Sequence, residues 1–488
     1  MAKVMMVASE AAPFAKTGGL ADVLGALPAA LVRLGMEASV VMPKYRGLHP
    51  AGVELVLEDM PVWINHFRHR TDIWRLYREG VAFYFVEAPW FYDRDGVYSS
   101  YGNDYIDNHL RFAVLSLAAL GIARQIEHPD ILHSHDWQAA LVPIYARSWF
   151  ANDPRLAAMK HVFTIHNLGY QGRFGKQILW ELGLDGSQFH PGELEYFGDL
   201  NLMKGAIIAA DFVTTVSPTY AREIQTAEHG FGLDGLLRER SARLTGILNG
   251  VDYAEWDPAT DRYLPAHFDA ANLQGKAACK RALLEAMGFG AEAHDRPLIG
   301  VVSRFAAQKG FDLLEPIGDE LMKEDVTLIA LGSGEPHCEW IFHDLTDRHH
   351  DKVRVWHGYN NGLAHLIEAG ADIFLMPSRY EPCGLNQIYS LKYGTPPVVR
   401  ATGGLDDTID ELTGFKFGEY SPAALLSTLR HALQCWRDRE AWEARMRLGM
   451  GKDFSWDRSA AEYAALYRGL LGERILFPNG TSKILERL

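Results

Sequence analysis

Cysteine is scarce. Four occur in 488 residues, Cys279, Cys338, Cys383 and Cys435, with no CxxC pair and no metal-type spacing. That removes a disulfide scaffold and a zinc ribbon and points to reduced thiols in a cytoplasmic compartment. Positive charge is also short: 48 Lys and Arg against 62 Asp and Glu leave a formal net charge of −14. Such a balance excludes a general nucleic-acid or anionic-membrane binder and leaves an anionic small molecule only where a few cations are gathered. Long apolar runs are missing too. The strongest, Ala113 to Ala123, lies between Arg111 and Arg124; it is too short to cross a bilayer and reads as a buried helix. Met1-Ala2-Lys3-Val4 leads straight into a strand-like segment without a signal-type apolar core, so a cytoplasmic chain is expected.

The apolar residues that are present follow two periods. Val4 to Ala8 is a run of strand formers, and a loop with Pro13, Gly18 and Gly19 follows. Leu20, Val23, Leu24, Leu27, Leu31 and Leu34 then recur at helical steps, with Gly35 where a C-terminal cap belongs. Ala38 to Met42 is a second apolar strand. Continuous apolar strands between amphipathic helices predict a parallel sheet covered on both faces. Further strands are expected at Phe83–Val86, Ile131–His133, His161–Ile165 and Phe212–Val216, with helices at Ala113–Ile126 and Leu202–Ala210.

A second series begins after about residue 245. Strands are expected at Leu298–Ser303, Thr327–Leu331, Val353–Trp356, Ile373–Met376 and Pro397–Val399. Helices are expected at Leu313–Lys323, Leu363–Ala369, Leu385–Tyr393 and Leu405–Ile409. The reading is an α/β chain of two doubly wound domains, 1–245 and 246–454, with turn formers from Asn249 to Pro265 at the join. Open α/β sheets bind ligands at the carboxyl ends of their strands, so the loops after strands are the places to search.

Four such loops carry chemistry. Lys16-Thr17-Gly18-Gly19-Leu20 follows the first strand: glycines let a ligand approach the backbone, and a helix start with a lysine favours a phosphate. A loop glycine pair with a surface lysine would look the same, and the spacing is neither GxGxxG nor a Walker loop. Arg304 and Lys309 share the loop after the first strand of the second series, where a guanidinium and an ammonium suit a pyrophosphate. Pro377 to Leu385 places Glu381 ahead of an expected helix start, so a carboxylate for sugar hydroxyls would stand beside the N–H groups of Cys383, Gly384 and Leu385. Cys383 itself has no neighbouring histidine and reads as small packing. His166 closes the strand His161–Ile165, and His133-Ser134-His135-Asp136-Trp137 reads as a polar strand end rather than a metal site. Asp93-Arg94-Asp95 matches a DxD pattern, but Asp95-Gly96 is an ordinary turn pair. Tyr92, Tyr98 and Tyr101 beside it read as a carbohydrate-facing or packing surface.

Taken in order along the chain, these motifs resemble the bacterial glycogen synthase and plant starch synthase family. The match runs from Lys16–Asp22 through His133–Trp137, Thr164–Asn167, Thr215–Pro218 and Gly246–Asp252 to Arg304–Gly310, Glu381–Leu385 and Thr402–Leu405. The resemblance implies a GT-B fold, two Rossmann-like domains facing a deep interdomain cleft, and a C-terminal segment, 455–488, whose helix crosses back to the N-terminal domain. It implies transfer of glucose from ADP-glucose to the non-reducing end of an α-1,4-glucan, with retention, no cofactor, no metal and no membrane or nucleic-acid partner. By motif, Glu381, His166, Arg304 and Lys309 would be the catalytic group. Lys16, Gly18, Gly19, Asp136, Asn249, Tyr359, Cys383, Gly384 and Leu385 would bind substrate, Tyr359 beside the adenine. Tyr389 stands where the wider superfamily often has a second glutamate, and Asn386 where threonine is usual. A UDP-linked donor and a non-catalytic glucan-binding protein are the rival readings; a nicotinamide dehydrogenase lacks its glycine fingerprint.

Overall fold

The computed structural model describes residues 1–100 and 102–472. Tyr101 and the end of the 455–488 segment lie outside the described residues. The chain forms two compact units. The first comprises Met1–Val216, Ala221–Gly250 and the described residues from Trp456 onward; the second comprises Ser217–Tyr220 and Val251–Ser455.

The first unit is built on a nine-stranded sheet. From one edge its order is Leu244–Gly246, Phe212–Thr215, Lys160–Ile165, Ile131–His135, Lys3–Val7, Glu37–Pro43, Val81–Glu87, Phe67–Arg78 and Glu54–Ile64. Pairing is parallel as far as Val81–Glu87. Val4 lies opposite both Ala38 and Ile131, and Val4 to Val7 are wholly buried, as strands covered on both faces must be. The helix Gly19–Arg33 buries Leu24, Leu27 and Leu31 completely, each worth ~1.5–3 kcal/mol. It ends as its sequence requires: Gly35 is left-handed at φ 78, its N–H reaches Val32 O, and the Met36 N–H reaches Leu31 O. The helix Trp456–Leu470 packs in this unit, with Asp457 on Arg33 at 2.6 Å and the Tyr467 hydroxyl 2.7 Å from His133 Nδ1.

Two expectations need correction. The sheet does not stay parallel, because Phe67–Arg78 and Glu54–Ile64 add an antiparallel edge. Its alternation is interrupted by irregular register between Leu55 and Met60 and by left-handed Asp59, so no clean period of two reaches the sequence. The helix expected at Leu313–Lys323 is a single turn at Phe311–Leu313 and a four-residue helix, Gly318–Leu321. Pro316 lies between them, and a proline removes the helical N–H and disfavours helix in the residue before it.

The second unit has six parallel strands in the order Val353–His357, Thr327–Gly332, Leu298–Val302, Ile373–Met376, Pro397–Arg400 and Phe415–Phe417. Counted along the chain this is 3-2-1-4-5-6, so the order reverses between Leu298–Val302 and Ile373–Met376. In the first unit the reversal falls between Lys3–Val7 and Ile131–His135. The core of the second unit joins Ile299, Val301, Leu328 and Leu375 of the strands to Phe342, Leu429 and Trp442 of the covering helices. The segment expected as a linker contributes to a smaller core: Trp256 stacks between His365 at 3.8 Å and Tyr389 at 4.1 Å, and buried Asp261 accepts from the Tyr393 hydroxyl.

Candidate active site

A crevice opens in a doubly wound sheet where the strand order reverses, and ligands bind there. In the second unit the two loops flanking that point carry Arg304 with Lys309 and Ser378 with Glu381. The single turn Ala307–Lys309 brings Lys309 Nζ to 2.6 Å from Glu381 Oε2, with the side chains 17% and 7% exposed. The Ser378 hydroxyl donates to the same oxygen at 3.0 Å. The loops are tied together by Arg379 N–H on Gln308 O at 2.9 Å. Arg304 is exposed, and its side chain has no hydrogen-bond or ion-pair partner among the described residues. One cation of the pair is therefore held on a carboxylate, and the other is free for an anion.

The backbone around Glu381 passes close over Thr402-Gly403-Gly404. Gly404 N–H donates to Glu381 O, and a Cβ on Gly404 would sit 2.0 Å from Cys383 O. Glycine is required there by the approach of one chain to the other. The following helix is Asn386–Lys392, so Cys383, Gly384 and Leu385 precede it rather than forming its first turn. Gly384 and Leu385 N–H have no acceptor among the described residues. Gln387 Nε2 donates to Cys383 O, Gly384 O and the Thr408 hydroxyl, and Asn386 Nδ2 to Val302 O. Ser217 donates to Pro382 O at 2.6 Å, and Asp407 accepts from both Thr219 N–H and its hydroxyl at 2.7 Å. Tyr359 follows the edge strand Val353–His357 on the same rim. It is 88% exposed, with its hydroxyl on Asn361 at 2.9 Å.

In the first unit the reversal point is flanked by the loops after Lys3–Val7 and Ile131–His135. Glu10 is buried and holds the glycine loop, accepting from the Thr17 N–H and, at 2.7 Å, from its hydroxyl. Tyr98 donates to the same carboxylate at 2.5 Å. Gly18 is extended at φ −161, and a Cβ there would meet nothing within 4 Å, so nothing inside the unit demands glycine. Gly19 is the first helical residue. Lys16 does not stand as an open charge: its Nζ lies 2.6 Å from Asp22 in the first turn of the same helix, an exposed pair, which is worth little. Asp136 has the left-handed φ of 56 and accepts the His166 N–H at 2.7 Å. Burial raises its carboxyl to about 7. His166 Nε2 lies 3.0 Å from His135 Nδ1, and burial pushes the His166 imidazole down to about 3, so at neutral pH it is an uncharged donor or acceptor. His133 is fixed by Tyr467 and by Thr164 at 2.5 Å and is likewise pushed down to about 3 by burial. Asn249 is buried, with its side-chain oxygen unpartnered among the described residues.

The other sequence candidates settle differently. Arg46 takes both carboxylates of the DxD match, Asp93 at 2.7 Å and Asp95 at 2.6 Å. Tyr92 is core, donating to Arg111 O. Among the described residues no group of three or more His, Cys, Asp or Glu side chains could hold a metal ion, and no helix is long and apolar enough to cross a membrane. Glu10, Ser378, Gln387 and Asp407 were not singled out from the sequence. Glu10 and Ser378 had a legible signal, a polar side chain two or three residues past a buried strand; Gln387 and Asp407 had none.

Two doubly wound units in one chain, each with its polar loops at the reversal point, are the architecture of the GT-B fold class. A profile of the starch synthase catalytic domain matches residues 3–239, and one of glycosyl transferases group 1 matches 285–448. A glycogen synthase of Koribacter versatilis is 49% identical over 95% of this chain and 97% of its own, and one of Myxococcus xanthus is 46% identical over 96% and 100%. The solved catalytic domain of starch synthase IV from Arabidopsis thaliana, bound to ADP and acarbose, superposes with a TM-score of 0.88 at 34% identity, covering 97% of this chain and 99% of that one. A sucrose-phosphate synthase from Thermosynechococcus elongatus shares the fold at 18% identity and a TM-score of 0.60, over 97% of this chain and 100% of that one. The chain belongs to the glycogen synthase and starch synthase family and is a glucosyltransferase of glycogen synthesis.

Proposed function

We propose that this enzyme transfers glucose from ADP-glucose to the non-reducing end of an α-1,4-glucan, with retention at the anomeric carbon. The observation that carries the reading is the Lys309–Glu381 ion pair beside the unpartnered Arg304 at the reversal point of the second unit. When the bond between sugar and phosphate breaks, negative charge builds on the departing diphosphate and positive charge on the ring. Arg304, Lys309 and the free N–H groups of Gly384 and Leu385 stabilise the leaving group, the work a Mg²⁺ ion does in other transferases. Glu381, already neutralised by Lys309, orients glucose hydroxyls, and the uncharged His166 is the sugar-hydroxyl partner that the first unit offers. Lys16, Gly18, Gly19, Asp136 and Asn249 complete the substrate contacts of that unit, and Tyr359 and Cys383 those of the second, Tyr359 beside the adenine. In this reading the acceptor hydroxyl attacks on the face the diphosphate leaves, and the departing phosphate takes its proton.

The ADP carried by the Arabidopsis starch synthase supports the donor assignment. Four unpaired cysteines support a reducing, cytoplasmic setting, and the acidic surface a role without nucleic-acid or membrane partners. The deciding experiment is incorporation of glucose into glycogen from ADP-glucose and UDP-glucose at equal concentration. ADP-glucose should be preferred; preference for UDP-glucose overturns the donor, and glycogen binding without nucleotide release from either overturns the reaction.

A further inference from the structure

The strand Ile131–His135 carries His133 and His135, both wholly buried, and residues two apart on a strand share a face. His133 is engaged at both nitrogens: the Tyr467 hydroxyl lies 2.7 Å from Nδ1, and the Thr164 hydroxyl lies 2.5 Å from Nε2 and 2.5 Å from the Thr214 hydroxyl. The His135 ring packs on that of His133, with centroids 4.1 Å apart. It is engaged at one nitrogen only. Its Nδ1 is 3.0 Å from His166 Nε2, and its own Nε2 is buried without a hydrogen-bond partner among the described residues. A strand position filled for packing alone is better served by an apolar side chain, which leaves no polar atom unmet.

The contact between His135 and His166 fixes more than a distance. Both rings are neutral at pH 7: burial pushes His166 down to about 3, and burial, then His133 and His166, hold His135 well below the ordinary histidine range. A neutral imidazole has one N–H and one bare nitrogen. One ring must therefore donate and the other accept, and that choice sets the tautomer of both. With His166 donating from Nε2, His135 would carry its proton on Nε2, an N–H shut away from every acceptor. Orphaned buried N–H groups are rarer in folded proteins than unmet acceptors. With His135 donating from Nδ1, only a lone pair goes unmet. His166 then accepts at Nε2 and carries its proton on Nδ1, an atom with no partner among the described residues on a ring that is half-buried. The next residue completes the hold. Asp136 accepts the His166 N–H at 2.7 Å, so the backbone and the ring of His166 are both fixed from the end of one strand.

We propose that His135 is a positioning residue of the transfer reaction: its Nδ1–H holds His166 in the Nδ1–H tautomer, so that the ring presents a hydrogen-bond donor to an oxygen of the transferred sugar. The proposal rests on the glucosyl transfer above only for what His166 meets. The first test is direct. Spectra of the full-length enzyme labelled with ¹⁵N in its histidines, with signals assigned through His135→Asn and His166→Gln, read which nitrogen of each ring carries the proton. His135 and His166 should both be protonated at Nδ1 and bare at Nε2; a proton on His135 Nε2 overturns the proposal. No substrate is present, so the spectrum decides the tautomer whether or not the transfer reaction holds. The second test sets packing against donation. Asparagine supplies an amide N–H in place of Nδ1–H, whereas leucine fills a buried site with no polar atom to satisfy. His135→Asn should keep kcat within about threefold of wild type, and His135→Leu should lower it at least about tenfold. Melting temperature should run the other way, with His135→Leu at or above His135→Asn. Turnover that follows melting temperature across the two variants makes His135 a packing residue and overturns the proposal. A loss in His135→Leu carried by KM alone, with kcat unchanged, overturns it as well.

Discussion

Replacing Lys309 by alanine separates a residue that stabilises the enzyme from one that serves catalysis. The ammonium is 2.6 Å from a carboxylate that is 7% exposed. Its removal strands that charge, leaving the Ser378 hydroxyl at 3.0 Å as its remaining donor. Breaking a buried pair from one side costs ~3–5 kcal/mol, and because Lys309 is 17% exposed and water can enter, ~3 kcal/mol is the better figure. For a unit of this size that lowers the melting temperature by about 6–12 °C. If Lys309 also stabilises the departing diphosphate, a further ~1.5–3 kcal/mol of transition-state stabilisation disappears, or roughly 10–150-fold in turnover. Arg304→Ala isolates the second effect. Its side chain has no partner to abandon, so stability should move by no more than ~0.5 kcal/mol while turnover falls by the same roughly 10–150-fold. A third variant closes the argument: Glu381→Gln in the Lys309→Ala background removes the stranded charge and should recover melting temperature without recovering turnover. The assay is release of ADP from ADP-glucose with glycogen present, beside a thermal melt. Wild-type turnover in Arg304→Ala, or full recovery of turnover with melting temperature in the double variant, refutes the reasoning.

Three further outcomes follow. Chelation with EDTA should leave turnover unchanged, because arginine, lysine and backbone N–H groups carry the leaving-group charge; a loss restored by Mg²⁺ would contradict this. Gly404→Ala should unfold the second unit or lower its stability by several times the ~1–3 kcal/mol of ordinary overpacking, since its Cβ would lie 2.0 Å from a backbone oxygen; Gly18→Ala should melt like wild type while reducing kcat/KM, and equal melting of the two would refute the distinction. The first unit should lose stability as pH falls below about 6.5: buried His133, His135, His161 and His166 are all depressed, so the unfolded chain binds more protons. Each contributes up to about 1.4 kcal/mol per pH unit, while Asp136 and Glu462, raised by burial, act in the opposite sense. Urea melts from pH 7 to 5 read the slope, and His133→Gln should flatten it.

Much of the architecture was open to reading because its signals are local. The strand Ile373–Met376 is an unbroken apolar run, and the helix Gly19–Arg33 announces itself by leucines at helical steps and a glycine past its end. The edge strands Glu54–Ile64 and Phe67–Arg78 were missed because one face is exposed and the register is irregular. Part of the candidate site was legible for one geometric reason: a polar residue just past a buried strand lies on the rim where ligands bind. That rule finds Arg304, Lys309, Glu381 and His166. It does not show that Lys16 lies on Asp22, that Glu10 grips Thr17, or that Trp256, in what reads as a linker, is stacked between two rings.

Residue order alone therefore determined the class of fold, the two series of strands and helices, and the loops that can carry chemistry, since hydrophobic period and glycine placement act within a few residues. Tertiary structure decided which of those loops meet. Lys309 and Glu381 are 72 positions apart and become partners because the strands before them are neighbours at the point where the sheet reverses. Arg147 and Asp211, 64 positions apart, meet at 2.9 Å for the same kind of reason: charge balance at a site is a property of space, and the chain holds no local record of what surrounds each group.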